Sequence, residues 1–232
     1  MQVITVAQQK GGVAKTTLAI HLAAEACRKG RRAVIVELDR QGTASQWSKK
    51  RPYTADSTDL LKGVDRPKVP PEVVQVDAAR LETALSALAE AGVSLVVIDL
   101  PGTHSPAVTP AIRAADLALI PARPNDTDIA ASGETLATVQ RLGKRYAYVL
   151  TYLPSKGSRE LEARDALEEE GHTVAPGGLG QLTDFADAIS AGKTVQELKS
   201  NGKAAEQVRA LWRWIEKTLH EQRTERKIAK RG

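Results

Sequence analysis

Val3-Ile4-Thr5-Val6-Ala7-Gln8-Gln9-Lys10-Gly11-Gly12-Val13-Ala14-Lys15-Thr16-Thr17 runs from a short apolar segment, through a glycine turn, into a helical pattern. A strand, a Gly-rich turn and a helix start are the parts a phosphate-binding loop requires. Glycines let backbone N–H groups turn inward and cradle phosphate oxygens. The helix N-terminus adds about half a positive charge at the same place. Lys15 is placed to neutralise the β- and γ-phosphates, and the Thr16 hydroxyl suits Mg²⁺. A bare glycine turn between strand and helix would not need Lys-Thr-Thr in that register.

The same alternation continues outward. Val3–Ala7, Ala33–Leu38, Val73–Val76, Leu95–Leu100, Leu117–Pro121 and Tyr146–Thr151 are short runs rich in Val, Ile and Leu. They lack in/out alternation, which predicts strands buried on both faces of a parallel sheet. Helical patterns lie between them. Thr16–Arg28 repeats Leu18, Leu22 and Ala26 at four-residue spacing. Asp77–Ala91 starts at an expected Asp77 cap and stops at Gly92. Thr127–Leu142, Ser158–Glu170 and Ala204–His220 follow. Strands alternating with helices predict an α/β fold: a doubly wound, mostly parallel sheet with helices on both faces. We expect one domain over residues 1–232, with Pro52–Pro71 as a surface excursion and a basic helix and tail from about 199.

The chain has 232 residues, 42% hydrophobic and 26% charged, the balance of a globular protein rather than a disordered one. No apolar run reaches the roughly 18 residues of a membrane span, and no signal peptide is read at the start. Cys27 is the single cysteine, so intrachain disulfides and thiolate metal centres are excluded; a small buried residue is expected there. The net charge of +5 is uneven: Lys199–Gly232 holds ten Lys/Arg against four Asp/Glu. Val208, Leu211, Trp212, Ile215 and Leu219 form an apolar stripe on the last helix. The opposite face carries Arg209, Arg213 and Lys217, and the tail adds Arg223, Arg226, Lys227, Lys230 and Arg231. Basic residues on a helix whose other face packs inward suit a sequence-independent grip on DNA phosphates, or on anionic lipid.

The loop departs from G-x-x-x-x-G-K-[ST], since Gln9 and Ala14 stand where two glycines would be. Lys-Gly-Gly-x-x-Lys-Thr, with Lys10 five residues before Lys15, instead resembles the deviant Walker A loop of the ParA/MinD family of ATPases. Val34–Gly42 resembles that family's second motif, Val96–Pro101 its Walker B strand, and Pro121–Asp126 its adenine-side loop. Phe185–Ala188 and Gly192–Glu197 resemble its carboxyl-terminal run. The resemblance implies that Lys10, Gly11, Gly12, Val13, Ala14, Lys15, Thr16 and Thr17 bind ATP. It places Pro121, Arg123, Pro124, Asn125 and Thr151 on the base side. Thr16, Asp39 and Asp99 would serve Mg²⁺. Lys10, Lys15 and Asp39 would be catalytic, with Asp39 positioning water and Lys10 reaching a partner subunit's nucleotide. Ala14 for glycine, Glu37 for aspartate and Arg40 for proline depart from the family pattern and bear on the hydrolysis rate.

The implied function is that of a small ParA-type, ParF-like partition ATPase without a helix-turn-helix extension. It would form a homodimer with ATP and Mg²⁺, bind nonspecific duplex DNA, and be released by a ParB-like or ParG-like centromere-binding protein. A cytoplasmic, nucleoid-associated protein without integral membrane contact is expected. The alternatives are a MinD-like membrane ATPase, for which Ile228 is the one large aliphatic residue of Glu221–Gly232, and an ATP-binding scaffold with little hydrolysis. Metabolic relatives such as cobyrinate or dethiobiotin synthetases lack the lysine found here at position 10. His104 reads as a loop histidine.

Overall fold

The computed structural model describes residues 1–51 and 71–229, with only the backbone of Arg223 and of residues 226–229. The expected excursion at Pro52–Pro71 falls, but for Pro71, outside the described residues, as do Lys230 and Arg231.

Among the described residues, seven parallel strands form one sheet: β1 (Gln2–Val6), β2 (Ala33–Glu37), β3 (Glu72–Gln75), β4 (Leu95–Asp99), β5 (Leu117–Ala122), β6 (Tyr146–Leu153) and β7 (Leu179–Gly180). Their order is β3-β2-β4-β1-β5-β6-β7. The apolar runs are continuous because each strand feeds two cores. Ile4, Val6, Leu95, Val97, Leu117 and Leu119 face one core; Val3, Ala7, Val96, Ile98, Ala118 and Ile120 face the other. On the first face lie α1 (Lys15–Arg28), α2 (Thr43–Lys49), α8 (Thr183–Ser190), α9 (Val195–Leu198) and α10 (Lys203–Ala229). On the second lie α3 (Leu81–Glu90), α4 (Val108–Ala114), α6 (Gly133–Arg141) and α7 (Arg159–Glu169). Cys27 is buried, and burial pushes its thiol up to about 11.

Four local expectations are corrected. The helix expected over Thr127–Leu142 is two, α5 (Asp126–Ala130) and α6. Between them Ser132 donates its hydroxyl back to the Ile129 carbonyl at 2.5 Å and lies 2.7 Å from the Tyr148 hydroxyl, and Gly133 follows. A back-bonding serine beside a glycine ends a helix readily. Asp77 makes no side-chain cap; a 3₁₀ turn, Ala78–Arg80, precedes α3. Strand β7 has two residues, too short for a hydrophobic pattern. Finally, α10 extends to Ala229 rather than His220.

Helix α10 also fixes the orientation of the basic segment. Its stripe of Val208, Leu211, Trp212, Ile215 and Leu219 is fully buried. Gln2 donates to the Leu219 carbonyl (3.1 Å), Gln222 donates to the Asp116 carbonyl (3.0 Å), and Glu225 pairs with Arg145. Those partners sit at or just before the starts of β1, β5 and β6, so α10 crosses the amino-terminal edge of the sheet.

Candidate nucleotide site

The Gly-rich loop leaves β1 at the opposite, carboxyl-terminal edge, where β1 stands between β4 and β5. The chain connections on its two sides run in opposite directions there, leaving the crevice in which open α/β sheets bind ligands. The backbone turns at Gly12 (φ +70°) and again at Ala14 (φ +66°, ψ +28°), which immediately precedes α1. No side chain caps this helix start. Its first N–H groups therefore point outward as donors for an anion. Gly102 packs on the loop: a Cβ there would lie 2.9 Å from the Gly11 Cα and 3.2 Å from the Lys15 ammonium. Only glycine lets the segment after β4 approach this closely. The sequence reading passed over Gly102, although it stands three residues beyond Asp99.

Charge converges beneath the loop. Lys15 is buried, and its ammonium donates to the Lys10 carbonyl at 2.8 Å. Desolvation lowers its pKa, while the Asp99 and Asp39 charges oppose that shift. Asp99 ends β4 with no exposure, and neither carboxylate oxygen has a hydrogen-bond partner. Burial pushes its carboxyl up to about 7; Glu37 and Asp39 add to the shift, and Thr16 and Lys15 oppose it. An orphaned buried carboxylate beside a lysine and a threonine hydroxyl fits a hydrated Mg²⁺. Such an ion takes its other ligands from water and phosphate rather than from an all-protein cage.

The residues after β2 divide in role. Asp39 is half-buried, and its carboxylate accepts the Gln41 N–H at 2.9 Å, fixing the turn. Gln75, at the end of β3, donates to the Asp39 carbonyl at 3.1 Å. Glu37 accepts from the backbone N–H groups of Ala44 (2.7 Å) and Ser45 (3.1 Å) and from the Ser45 hydroxyl. Its extra methylene, relative to aspartate, lets the carboxylate hold the first turn of α2. Arg40 is exposed and 4.0 Å from Asp77.

The expected base-side residues are placed differently. Thr151 is fully buried and donates to the Val13 carbonyl at 3.3 Å, which braces the loop. Pro121 lies within β5. Pro124 is half-buried, and the Asn125 side chain caps α5 by accepting the Asp128 N–H at 2.9 Å. Arg123 donates to the Gly12 carbonyl at 2.7 Å and stacks on Tyr152, its guanidinium 4.6 Å from the ring centre. A cavity of about 370 Å³ instead adjoins Ala14 and Thr17, lined chiefly by Tyr152, Leu179, Gln181, Leu182 and Phe185. Its apolar walls come from β7, which lies outside the six strands expected from the sequence, and from the start of α8. His104 is exposed and 3.3 Å from Glu134.

Lys10, the second lysine of the loop, pairs with Asp128 of its own chain. The carboxyl-terminal run at Gly192–Glu197 proves to be a brace for α2. Thr194 and Glu197 form a capping box on α9, and Glu197 also binds Arg51 at 2.5 Å. Trp47 donates to the Lys193 carbonyl at 2.9 Å. On α10, Arg213 and Lys217 are exposed, with Glu221 3.9 Å from Lys217; the Arg209 guanidinium donates to the Ser200 carbonyl at 2.7 Å. No helix among the described residues is long and apolar enough to cross a membrane.

A profile described as the CobQ/CobB/MinD/ParA nucleotide binding domain matches residues 4–201. Soj, a chromosome-partitioning ATPase of Thermus thermophilus, is 33% identical over 153 residues, covering 60% of this chain and 61% of Soj. The maintenance of carboxysome distribution protein A of Gloeobacter kilaueensis is 33% identical over 174 residues, covering 73% of this chain and 72% of that protein. Among solved structures, MinD of Pyrococcus horikoshii, complexed with Mg-ADP, superposes with a TM-score of 0.73 at 15% identity, covering 95% of this chain and 98% of MinD. At that identity the match establishes a shared fold.

Proposed function

The chain belongs to the CobQ/CobB/MinD/ParA nucleotide-binding family and is an ATPase of the ParA/MinD type, and from that premise we propose that it is a partition or positioning ATPase whose ATP-bound dimer grips DNA without regard to sequence. The observation that carries the nucleotide half is the convergence of an uncapped helix start, buried Lys15 and orphaned Asp99 at one strand edge. Gly11 to Thr17 would wrap the phosphates, and the cavity beyond Thr17 would take the base. Mg²⁺ supplies charge neutralisation at the phosphates. Thr16 would hold the ion directly and Asp99 through water. Asp39, fixed by its turn, would orient the attacking water, and Lys10 would act on the partner's nucleotide.

The DNA half rests on α10. Its buried stripe leaves Arg213 and Lys217 on the outer face, and the chain beyond carries Arg223, Arg226, Lys227, Lys230 and Arg231. Arg209, tied to Ser200, would be the weaker contributor. One subunit offers few phosphate contacts, and two linked sets gain effective concentration. A ParB-like or ParG-like DNA-bound partner would stimulate hydrolysis and end the grip, in keeping with cytoplasmic, nucleoid-associated action.

The test is retention on duplex DNA of unrelated sequences, with ATP and with ADP, across a salt series. We expect retention with ATP only, falling steeply with salt as condensed counterions are released. Arg213→Ala with Lys217→Ala should weaken it, and Lys15→Ala should abolish tight ATP binding. Equal retention with ADP, or binding to anionic vesicles in preference to DNA, would overturn the DNA reading. Undiminished ATP binding by Lys15→Ala would overturn the loop assignment.

A further inference from the structure

Lys10 has a partner within its own subunit. Its ammonium pairs with Asp128, 118 residues further along the chain, whose side chain is 5% exposed. The Asn125 side chain sets the start of α5 by accepting the Asp128 N–H, which holds the carboxylate in front of the loop. Leaving a buried carboxylate without a cation is strongly unfavourable, so Lys10 cannot simply depart. A second cation stands ready, however. Arg123 Nε lies 3.7 Å from the other carboxylate oxygen, which itself has no hydrogen bond. Arg123 is fixed from two further sides, by the Gly12 carbonyl and the Tyr152 ring. Tyr152 takes a positive φ of 52° to present that ring, a conformation rarely adopted by a bulky residue.

We propose that Asp128 and Arg123 form a latch that holds Lys10 in its own subunit and lets it go at dimerisation, with Arg123 taking over the carboxylate. The inference rests on the reading that Lys10 acts across an ATP-bound dimer. Asp128 is then a positioning residue that opposes dimerisation, and Arg123 one that favours it. Because Arg123 also bonds the phosphate loop, the handover is tied to the loop's conformation. Lys10 is 35% exposed, so its pairing is that of a partly solvated ion pair.

The full chain is titrated with saturating Mg·ATP, and the dimerisation midpoint is read by sedimentation. Asp128→Asn should lower the midpoint roughly tenfold, because each dimer releases two such pairs, each on the scale of a partly exposed ion pair. Arg123→Gln should raise it, because Lys10 would then leave a buried charge uncompensated. In the nucleotide-free chain, Lys10 should react several-fold faster with an amine-labelling ester in Asp128→Asn and more slowly in Arg123→Gln, read by peptide mass spectrometry. The labelling gauges the latch even where a variant dimerises poorly. A wild type that dimerises while both variants keep its midpoint and labelling rate overturns the latch alone. A wild type that stays monomeric with Mg·ATP overturns the dimer reading, and the latch with it.

Discussion

Ala14 carries a strain visible only in the backbone. It sits at φ +66°, where its methyl meets the following carbonyl, a penalty of about 1–2 kcal/mol in the left-handed region. Glycine escapes that penalty but loses more chain entropy on folding, roughly 0.5–1 kcal/mol. Ala14→Gly should therefore raise stability by about 0.5–1 kcal/mol, which thermal denaturation would show as a rise of a few degrees. An unchanged or lower Tm would mean that the loop relaxes around the methyl. Single residues were legible in the sequence where backbone geometry carries them: Lys15 and Asp99 follow from a loop and a strand end. Asp128 was not legible, because its tie to Lys10 spans 118 residues and rides on the sheet order. Nor was the role of Glu37, whose carboxylate holds the first turn of α2.

The elements show the same division at greater length. Strands with long apolar runs were legible because burial on both faces leaves no other pattern. The α5–α6 break was not, since it depends on Ser132 meeting Tyr148 across the fold. Helix α2 illustrates how one element is held by distant sequence: Glu37 grips its start, and Lys193 and Glu197 hold Trp47 and Arg51 at its end. Gly192 makes this contact possible. It has φ +65°, and a Cβ on it would lie 2.5 Å from the Lys50 carbonyl carbon. Gly192→Ala should push the end of α2 away and cost on the order of 3 kcal/mol by strain and lost contacts. Urea denaturation would register that loss as a lower midpoint. Since α2 follows the Asp39 turn directly, the same variant should slow ATP hydrolysis more than it weakens ATP binding.

Across the whole molecule, the candidate nucleotide site and the proposed DNA-binding helix lie at opposite ends of the strands. The phosphate loop opens at the carboxyl-terminal edge, and α10 crosses the amino-terminal edge. Proposed DNA contacts therefore need not touch the nucleotide, and ATP would act on them by pairing subunits. The crossing has a second consequence, for biosynthesis. Gln2 and Leu219 are joined across 217 positions, and the stripe from Val208 to Leu219 shares a core with Leu18, Leu22 and Ala26 of α1. On the ribosome, that face of α1 emerges early and must wait, uncovered, for almost the whole chain to be translated. Exposed apolar surface of this kind draws chaperones and drives aggregation. A chain truncated after Gly202 should bind a hydrophobic dye strongly and aggregate, whereas the full chain should do neither. The rate at which this protein is translated would then govern how much of it reaches the native state.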